Sequence, residues 1–239
     1  MILDFELDGN SGFRSSIGIS SYTKRSENWR TPVTTTAPIA LETLDSASRE
    51  LLFTDARTAN SFTDEPVTDA ELQGIWELTR YAPTMANGQP LRVLFVRTEE
   101  GKSRLLPHIA EGSNRNKAEA APVVAVLAYD TDFHEQFPVT FPDRGEMYRE
   151  NFGSMPVEAR EPISKYSAAL ATGQFFLAVR AHGLAVGPMA GFDTEGIDQE
   201  FFAGTTWKSH LVVNLGHPGE NPWFPRLPRV AVADAVAWA

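Results

Sequence analysis

Apolar positions change period several times along the chain, and each change marks an element. Over residues 44–56, Leu44, Ala47, Leu51 and Leu52 recur at helical spacing. Thr68-Asp69-Ala70-Glu71 is a capping-box pattern, with Thr68 as N-cap and Glu71 able to reach back to its amide. The helix it opens places Leu72, Ile75, Trp76 and Thr79 on one face and is predicted to end near Tyr81, ahead of Pro83. Residues 91–97 read as a mostly buried strand, 122–129 as a second buried strand and 210–215 as a third. Further helices are predicted over 99–108, over 161–181 with Gly183 closing the longest of them, and over 194–203. Residues 131–162, rich in proline and aromatics, read as a long loop with short helices, placed to serve as a lid. Gly187, Pro188 and Gly191 read as a tight turn after that longest helix. Helices alternating with a few strands predict an α+β layered domain.

The first 43 residues stand apart. From 9 to 36 they are rich in Ser, Thr, Gly and Asn and carry neither period, so residues 1–43 are expected to form a flexible extension, or to precede the true start. Residues 44–239 then make one domain, and a hydrophobic content of 42% suffices for its core. A net charge of −10 disfavours nucleic acid and anionic membranes as partners, while allowing a local basic pocket for one phosphate. The absence of cysteine excludes disulfides, thiolate chemistry and Cys-ligated zinc. The apolar run over 121–129 is too short to span a bilayer, and the acidic start lacks a signal-peptide pattern, so cytoplasm is the expected location.

Familiar catalytic patterns are missing. No G-x-S-x-G elbow, P-loop or G-x-G-x-x-G is present, and the five histidines lack metal spacing. Four other stretches carry candidate chemistry. Arg57 and Thr58 offer a guanidinium fork and a hydroxyl suited to a phosphate, although Arg57 alone also reads as a surface arginine. Pro83 and Pro90 bracket a rigid loop in which Asn87 either aims its amide at a ring edge or satisfies its own turn. Around Ala190 and Gly191, backbone amides and the missing side chain suit close approach by a planar ligand. Pro225-Arg226-Leu227-Pro228-Arg229 is either a second phosphate contact or a basic tail offsetting an acidic protein.

Together these stretches resemble the flavin cradle of the nitroreductase family. Residues 57–67 are similar to its arginine–serine–x–basic opening, phenylalanine and "DEPV"-like turn, with Asn60 where many members carry Lys or Arg. Residues 83–90 are similar to "PSxxNxQPW", with Thr84 for Ser and Leu91 for Trp. Ala190 stands where many members are acidic, and Arg226 matches a C-terminal "RLP" segment. The resemblance implies a nitroreductase-like fold: a small, mainly antiparallel central sheet flanked by helices, in an obligate-type homodimer whose interface completes each flavin site. It implies FMN, its phosphate held by Arg57 and Thr58 and, from the opposite side, by Arg226, with Arg229 in reserve. It places Asn60 at the pyrimidine edge, Asn87 on the isoalloxazine with Thr84 and Gln89 beside it, and Pro188 and Met189 against the ring. The amides of Ala190 and Gly191 would meet N5, which carries the hydride in ping-pong exchange with NADH or NADPH.

Residues 133–142, the "ARTxN" opening and the "GPMxGFD" stretch further resemble the malonic semialdehyde reductases of pyrimidine degradation. That branch reduces 3-oxopropanoate to 3-hydroxypropanoate, and Arg144 or Arg149 is either a partner for the substrate carboxylate or simply an exposed arginine of the lid. The alternatives are a broad quinone or nitro reductase, a non-catalytic flavin-binding module, and an interaction protein using the N-terminal segment.

Overall fold

The computed structural model describes residues 41–239. The expected N-terminal extension therefore lies, up to residue 40, outside the described residues. The helices are α1 (Ser46–Arg49), α2 (Asp69–Thr79), α3 (Glu99–Leu105), α4 (Ser113–Ala120), α5 (Phe137–Thr140), α6 (Gly145–Gly153), α7 (Val157–Ala181), α8 (Thr194–Phe201) and α9 (Val232–Ala235). The strands are β1 (Leu91–Val96), β2 (Val123–Asp130), β3 (Ala185–Met189) and β4 (Trp207–Gly216).

All neighbouring strands are antiparallel, in the order β1-β2-β4-β3. β2 is buried at every position, which explains its unbroken apolar run. Its side chains alternate between two layers. Val123, Ala125 and Leu127 join Ile75 of α2 and Ala171, Phe175 and Val179 of α7. Val124, Val126 and Ala128 join Leu105 of α3, Ala118 of α4 and Ile197 of α8. A third cluster, Phe133, Phe137 and Phe152, closes the segment between β2 and α7. The chain is thus an α+β sheet with helices on both faces.

The capping box forms as predicted: Thr68 N–H donates to Glu71 Oε2 at 2.7 Å and Glu71 N–H to Thr68 Oγ1 at 3.3 Å. Several expectations need correction. The segment 44–56 is α-helical only in α1 and continues as a π-helical stretch, Glu50–Thr54, whose Leu51 and Phe53 stay about half exposed. α7 begins ahead of Pro162 and contains it; the bond that proline forgoes would have ended on the carbonyl of exposed Glu158. α4 was not foreseen, because Ser-Asn-Arg-Asn-Lys carries no apolar period. The turn expected at Gly187-Pro188 is instead β3. A proline is tolerated there because β3 is an edge strand, where a missing N–H breaks no central ladder.

The expected lid loop is mostly helical and anchored. Buried Arg160 of α7 donates to Thr131 O at 2.8 Å, Met155 O at 3.1 Å and Phe152 O at 3.3 Å, and pairs with Asp132. Both ends of the segment are thereby tied to one guanidinium. Elsewhere on α7, Ala168, Ala171 and Phe175 enter the core while Tyr166 and Leu170 face outward. No helix among the described residues is long and apolar enough to cross a membrane.

Candidate functional site

The first stretch runs along the outer edge of β3. Ala59 N–H donates to Val186 O at 2.9 Å, Asn60 N–H to Pro222 O at 2.9 Å and Thr63 N–H to His217 O at 3.0 Å. Residues 59–63 are therefore threaded between β3 and the C-terminal segment. Gly187 makes the approach possible, since a Cβ there would lie 2.7 Å from Ala59 O. Arg57 Nη1 donates to Phe224 O at 3.3 Å, and Arg226 Nη2 reaches back to Ala56 O at 3.4 Å and to Thr54 O. The two arginines thus cross-brace the two segments.

Neither guanidinium meets a carboxylate among the described residues, and Arg229 bonds only to the carbonyls of Leu227 and Pro228. In a chain of charge −10 this is a local concentration of uncompensated positive charge. Each exposed fork keeps N–H groups for an anion, the chemistry a phosphate needs. Asn60 Nδ2 is taken up by Thr58 O at 3.3 Å and Pro222 O at 3.4 Å, so its amide braces the loop rather than standing free.

The third stretch adjoins the first through β3. Met189 is buried, its sulfur 3.5 Å from Asn214 Nδ2, so its side chain packs inward and is not presented at the surface. Pro188 is half-buried and Ala190 exposed. The Ala190 and Gly191 N–H groups donate to no acceptor among the described residues, while Gly191 O accepts from Ala110 N–H at 2.9 Å. A Cβ at Gly191 would sit 2.9 Å from Asn114 Nδ2. α4 therefore borders this cradle, and its Lys117 Nζ lies 5.8 Å above the Phe224 ring. Asn114 and Lys117 escaped the sequence reading; the polar string 113–117 directly before a buried strand was the available signal.

The second stretch lies elsewhere. Met85–Asn87 forms a 3-10 turn, with Ala86, Asn87 and Gln89 all left-handed at φ of 48°, 56° and 45°. Asn87 Nδ2 donates to Thr140 O at 2.7 Å, Gln89 Nε2 donates to Asn87 Oδ1 at 3.0 Å, and Thr84 Oγ1 accepts from Gln89 N–H at 3.1 Å. This loop precedes β1, whereas Ala59 lies outside β3, at the other edge of the sheet. Four strand spacings, the last from β3 to Ala59, amount to roughly 19 Å. Along the strands, Leu91 faces Tyr129 while Val186 faces Leu215, which faces Val123. That six-residue offset adds roughly 20 Å, for a separation on the order of 28 Å. One chain brings together the first, third and C-terminal stretches, not the second.

Of the two lid arginines, Arg149 is occupied by Glu146 at 2.9 Å and Glu135 at 3.6 Å, which hold its charge firmly. Arg144 is exposed and meets no carboxylate among the described residues. On the α7 face, His210 is pushed down to about 4 by burial, with Thr172 Oγ1 at 3.1 Å from its Nε2.

The model of the nitroreductase family matches residues 54–217. A Streptomyces coelicolor protein whose name places it among NADH dehydrogenase/NAD(P)H nitroreductases is 61% identical over 188 residues, 79% of this chain and 92% of that one. A similarly named Streptomyces griseus protein is 47% identical over 193 residues, covering 81% and 96%. Among solved structures, a nitroreductase-type protein of Exiguobacterium sibiricum in complex with FMN superposes with a TM-score of 0.71. It covers 84% of this chain and all of that one, and at 21% identity it speaks to the fold alone. On the family match and the close relatives, the chain belongs to the nitroreductase family.

Proposed function

We propose that this chain is an FMN-dependent NAD(P)H oxidoreductase whose preferred acceptor is a small aldehyde, with 3-oxopropanoate reduced to 3-hydroxypropanoate as the leading case. The observation that carries the flavin reading is the nearness of Arg57 and Arg226, which meet no carboxylate among the described residues, to the Ala190 and Gly191 amides, which meet no acceptor among them. The first pair suits a phosphate; the second suits an acceptor nitrogen on a flat ring approaching a glycine. Thr58 and Arg229 stand beside the phosphate position, and Asn114 and Lys117 of α4 beside the ring position. Pro188 gives the ring a rigid wall, whereas Asn60 and Met189 act by bracing the loop and the strand.

FMN, when bound, would supply two-electron chemistry, with hydride uptake from NAD(P)H and hydride delivery to the acceptor as separate half-reactions. The aldehyde carbon gains that hydride and its oxygen a proton, giving the alcohol and NAD(P)+ overall. Thr84, Asn87 and Gln89 lie too far away to reach the same ring, so they serve the site of a second copy in a homodimer. A second reading, a broad reductase of quinones or nitro compounds, is favoured by the names of the two Streptomyces relatives.

The absorbance spectrum of the purified protein, followed by anaerobic NADH and NADPH titration, tests the proposal. A yellow protein bleached by either nicotinamide is expected. A colourless protein with no flavin affinity refutes it, and a yellow one that neither nicotinamide bleaches leaves a binding module. Product analysis with 3-oxopropanoate against menadione and nitrofurazone then separates the two enzymatic readings.

A further inference from the structure

The guanidinium of Arg144 meets no carboxylate among the described residues, although several carboxylates lie in the same segment. Asp132 is paired with Arg160, and Glu135 and Glu146 are paired with Arg149. Its backbone is well fixed. Arg144 N–H donates to Phe141 O at 3.2 Å, Tyr148 N–H returns to Arg144 O at 3.0 Å, and Phe141 N–H donates to Phe137 O at 2.8 Å. The next residue, Gly145, is buried against α5 so closely that a Cβ would fall 2.6 Å from Pro138 Cα and closer still to Phe137 O. A side chain at 145 would push the turn outward, so its absence sets where Arg144 stands.

The same turn touches the second stretch. Thr140 O accepts from Asn87 Nδ2, and Thr140, Phe141, Pro142 and Asp143 line a hollow of about 300 Å³ beside it. A turn closed by an i+3 bond keeps the Arg144 Cα within about 10 Å of the Thr140 Cα. If Asn87 faces the flavin of a second copy, the Arg144 turn overhangs that flavin, where the acceptor must lie.

We propose that Arg144 is a specificity-determining residue that selects acceptors bearing a carboxylate. The inference rests on the flavin-dependent reading above and adds the residue that recognises the carboxylate of the acceptor. Its logic is charge. In a chain of net −10, a small anion is repelled from most of the surface and gains only where a cation is not already neutralised. Arg149 and Arg160 are neutralised and Arg144 is not. A planar guanidinium also matches a carboxylate bidentately, which a neutral aldehyde cannot exploit. Phosphate groups of the nicotinamide would recognise the same fork, so the test separates the two half-reactions.

The FMN-loaded protein, reduced chemically with dithionite so that no nicotinamide is present, is reoxidised by 3-oxopropanoate, propanal or menadione under stopped flow. For Arg144→Gln the 3-oxopropanoate concentration giving half-maximal reoxidation rate is expected to rise roughly tenfold or more, with propanal and menadione within about twofold of wild type. Arg144→Lys should recover part of the loss, and Arg149→Gln should leave all three acceptors unchanged. As a readout independent of turnover, 3-hydroxypropanoate should shift the melting temperature of wild type and not of Arg144→Gln. Equal losses with all three acceptors, no loss with any, or a loss confined to the NAD(P)H half-reaction overturns the proposal. Failure of dithionite-reduced wild type to be reoxidised by any acceptor removes the catalytic reading itself, and this inference falls with it.

Discussion

Gly187→Ala puts one methyl where the cradle depends on two backbones touching. The new carbon would stand 2.7 Å from Ala59 O and 3.4 Å from Phe62 Cζ. A comfortable carbon–oxygen contact is about 3.3 Å, so the 59–60 segment must retreat by roughly half an ångström. That retreat stretches the 2.9 Å bond from Ala59 N–H to Val186 O towards its limit. Overpacking against backbone contributes about 1–3 kcal/mol of destabilisation and the weakened bond about 0.5–1.5 more. Stiffening of the unfolded chain offsets about 0.4–1 kcal/mol of this. A net loss of about 2 kcal/mol is expected. Because Arg57 rides on the displaced segment, FMN affinity should fall about tenfold or more, each decade being worth about 1.4 kcal/mol. Urea unfolding gives the first number and flavin fluorescence titration the second. Gly173→Ala is the control: it adds the same methyl where nothing lies within 4 Å, and a helix-interior position should gain up to about 1 kcal/mol. A Gly187→Ala protein as stable as wild type, with unaltered FMN affinity, would refute the account of how 59–60 and β3 are joined.

Arg57→Ala combined with Arg226→Ala should lose bound FMN while retaining its circular dichroism, since both side chains are exposed and hold only carbonyls; stoichiometric flavin in the double variant removes the phosphate assignment. Arg160→Ala should cost about 3–5 kcal/mol, because it orphans three carbonyls and the Asp132 carboxylate, and hydrogen exchange over 131–155 should accelerate first. His210 stays neutral in the fold down to about 4 but protonates near 6.5 when unfolded. The unfolded chain thus binds more protons between those values, and stability should fall by up to about 3 kcal/mol as pH drops from 6.5 to 4. His134, also lowered by burial, acts in the same direction. Urea midpoints against pH for wild type and His210→Gln measure the effect; identical profiles would exclude His210 as its source.

The legible parts of the fold were those written in periodicity. β2 announced itself because all eight of its positions are buried, and α2 because its capping box is local in sequence. β3 was hidden because Gly187 and Pro188, which signal a turn in isolation, are tolerated on an edge strand, where the approach of Ala59 also requires Gly187. α4 was hidden because its only buried side chain is Ala118, so polarity masked the period. The site divided along the same line. Residue types suited to phosphate and to a ring could be read from the chain, as could the stretches carrying them. Which stretches meet could not, because strand order and register decide that, and they put Asn87 at the sheet's far corner. The inward turn of Met189 and the spending of the Asn60 amide on its own loop likewise depend on packing rather than pattern.

The loop bearing Asn87 places Ala86, Asn87 and Gln89 in left-handed backbone, and only asparagine among them adopts it readily. Each of the other two stores about 1 kcal/mol or more of conformational strain. Glycine at 86 or 89 would relax the loop, yet a relaxed loop would sample many shapes instead of one. The strained form is a spring held by the Thr140 carbonyl and the Ser167 hydroxyl. The Asn87 amide thereby couples the strained loop to α5, whose last residue is Thr140.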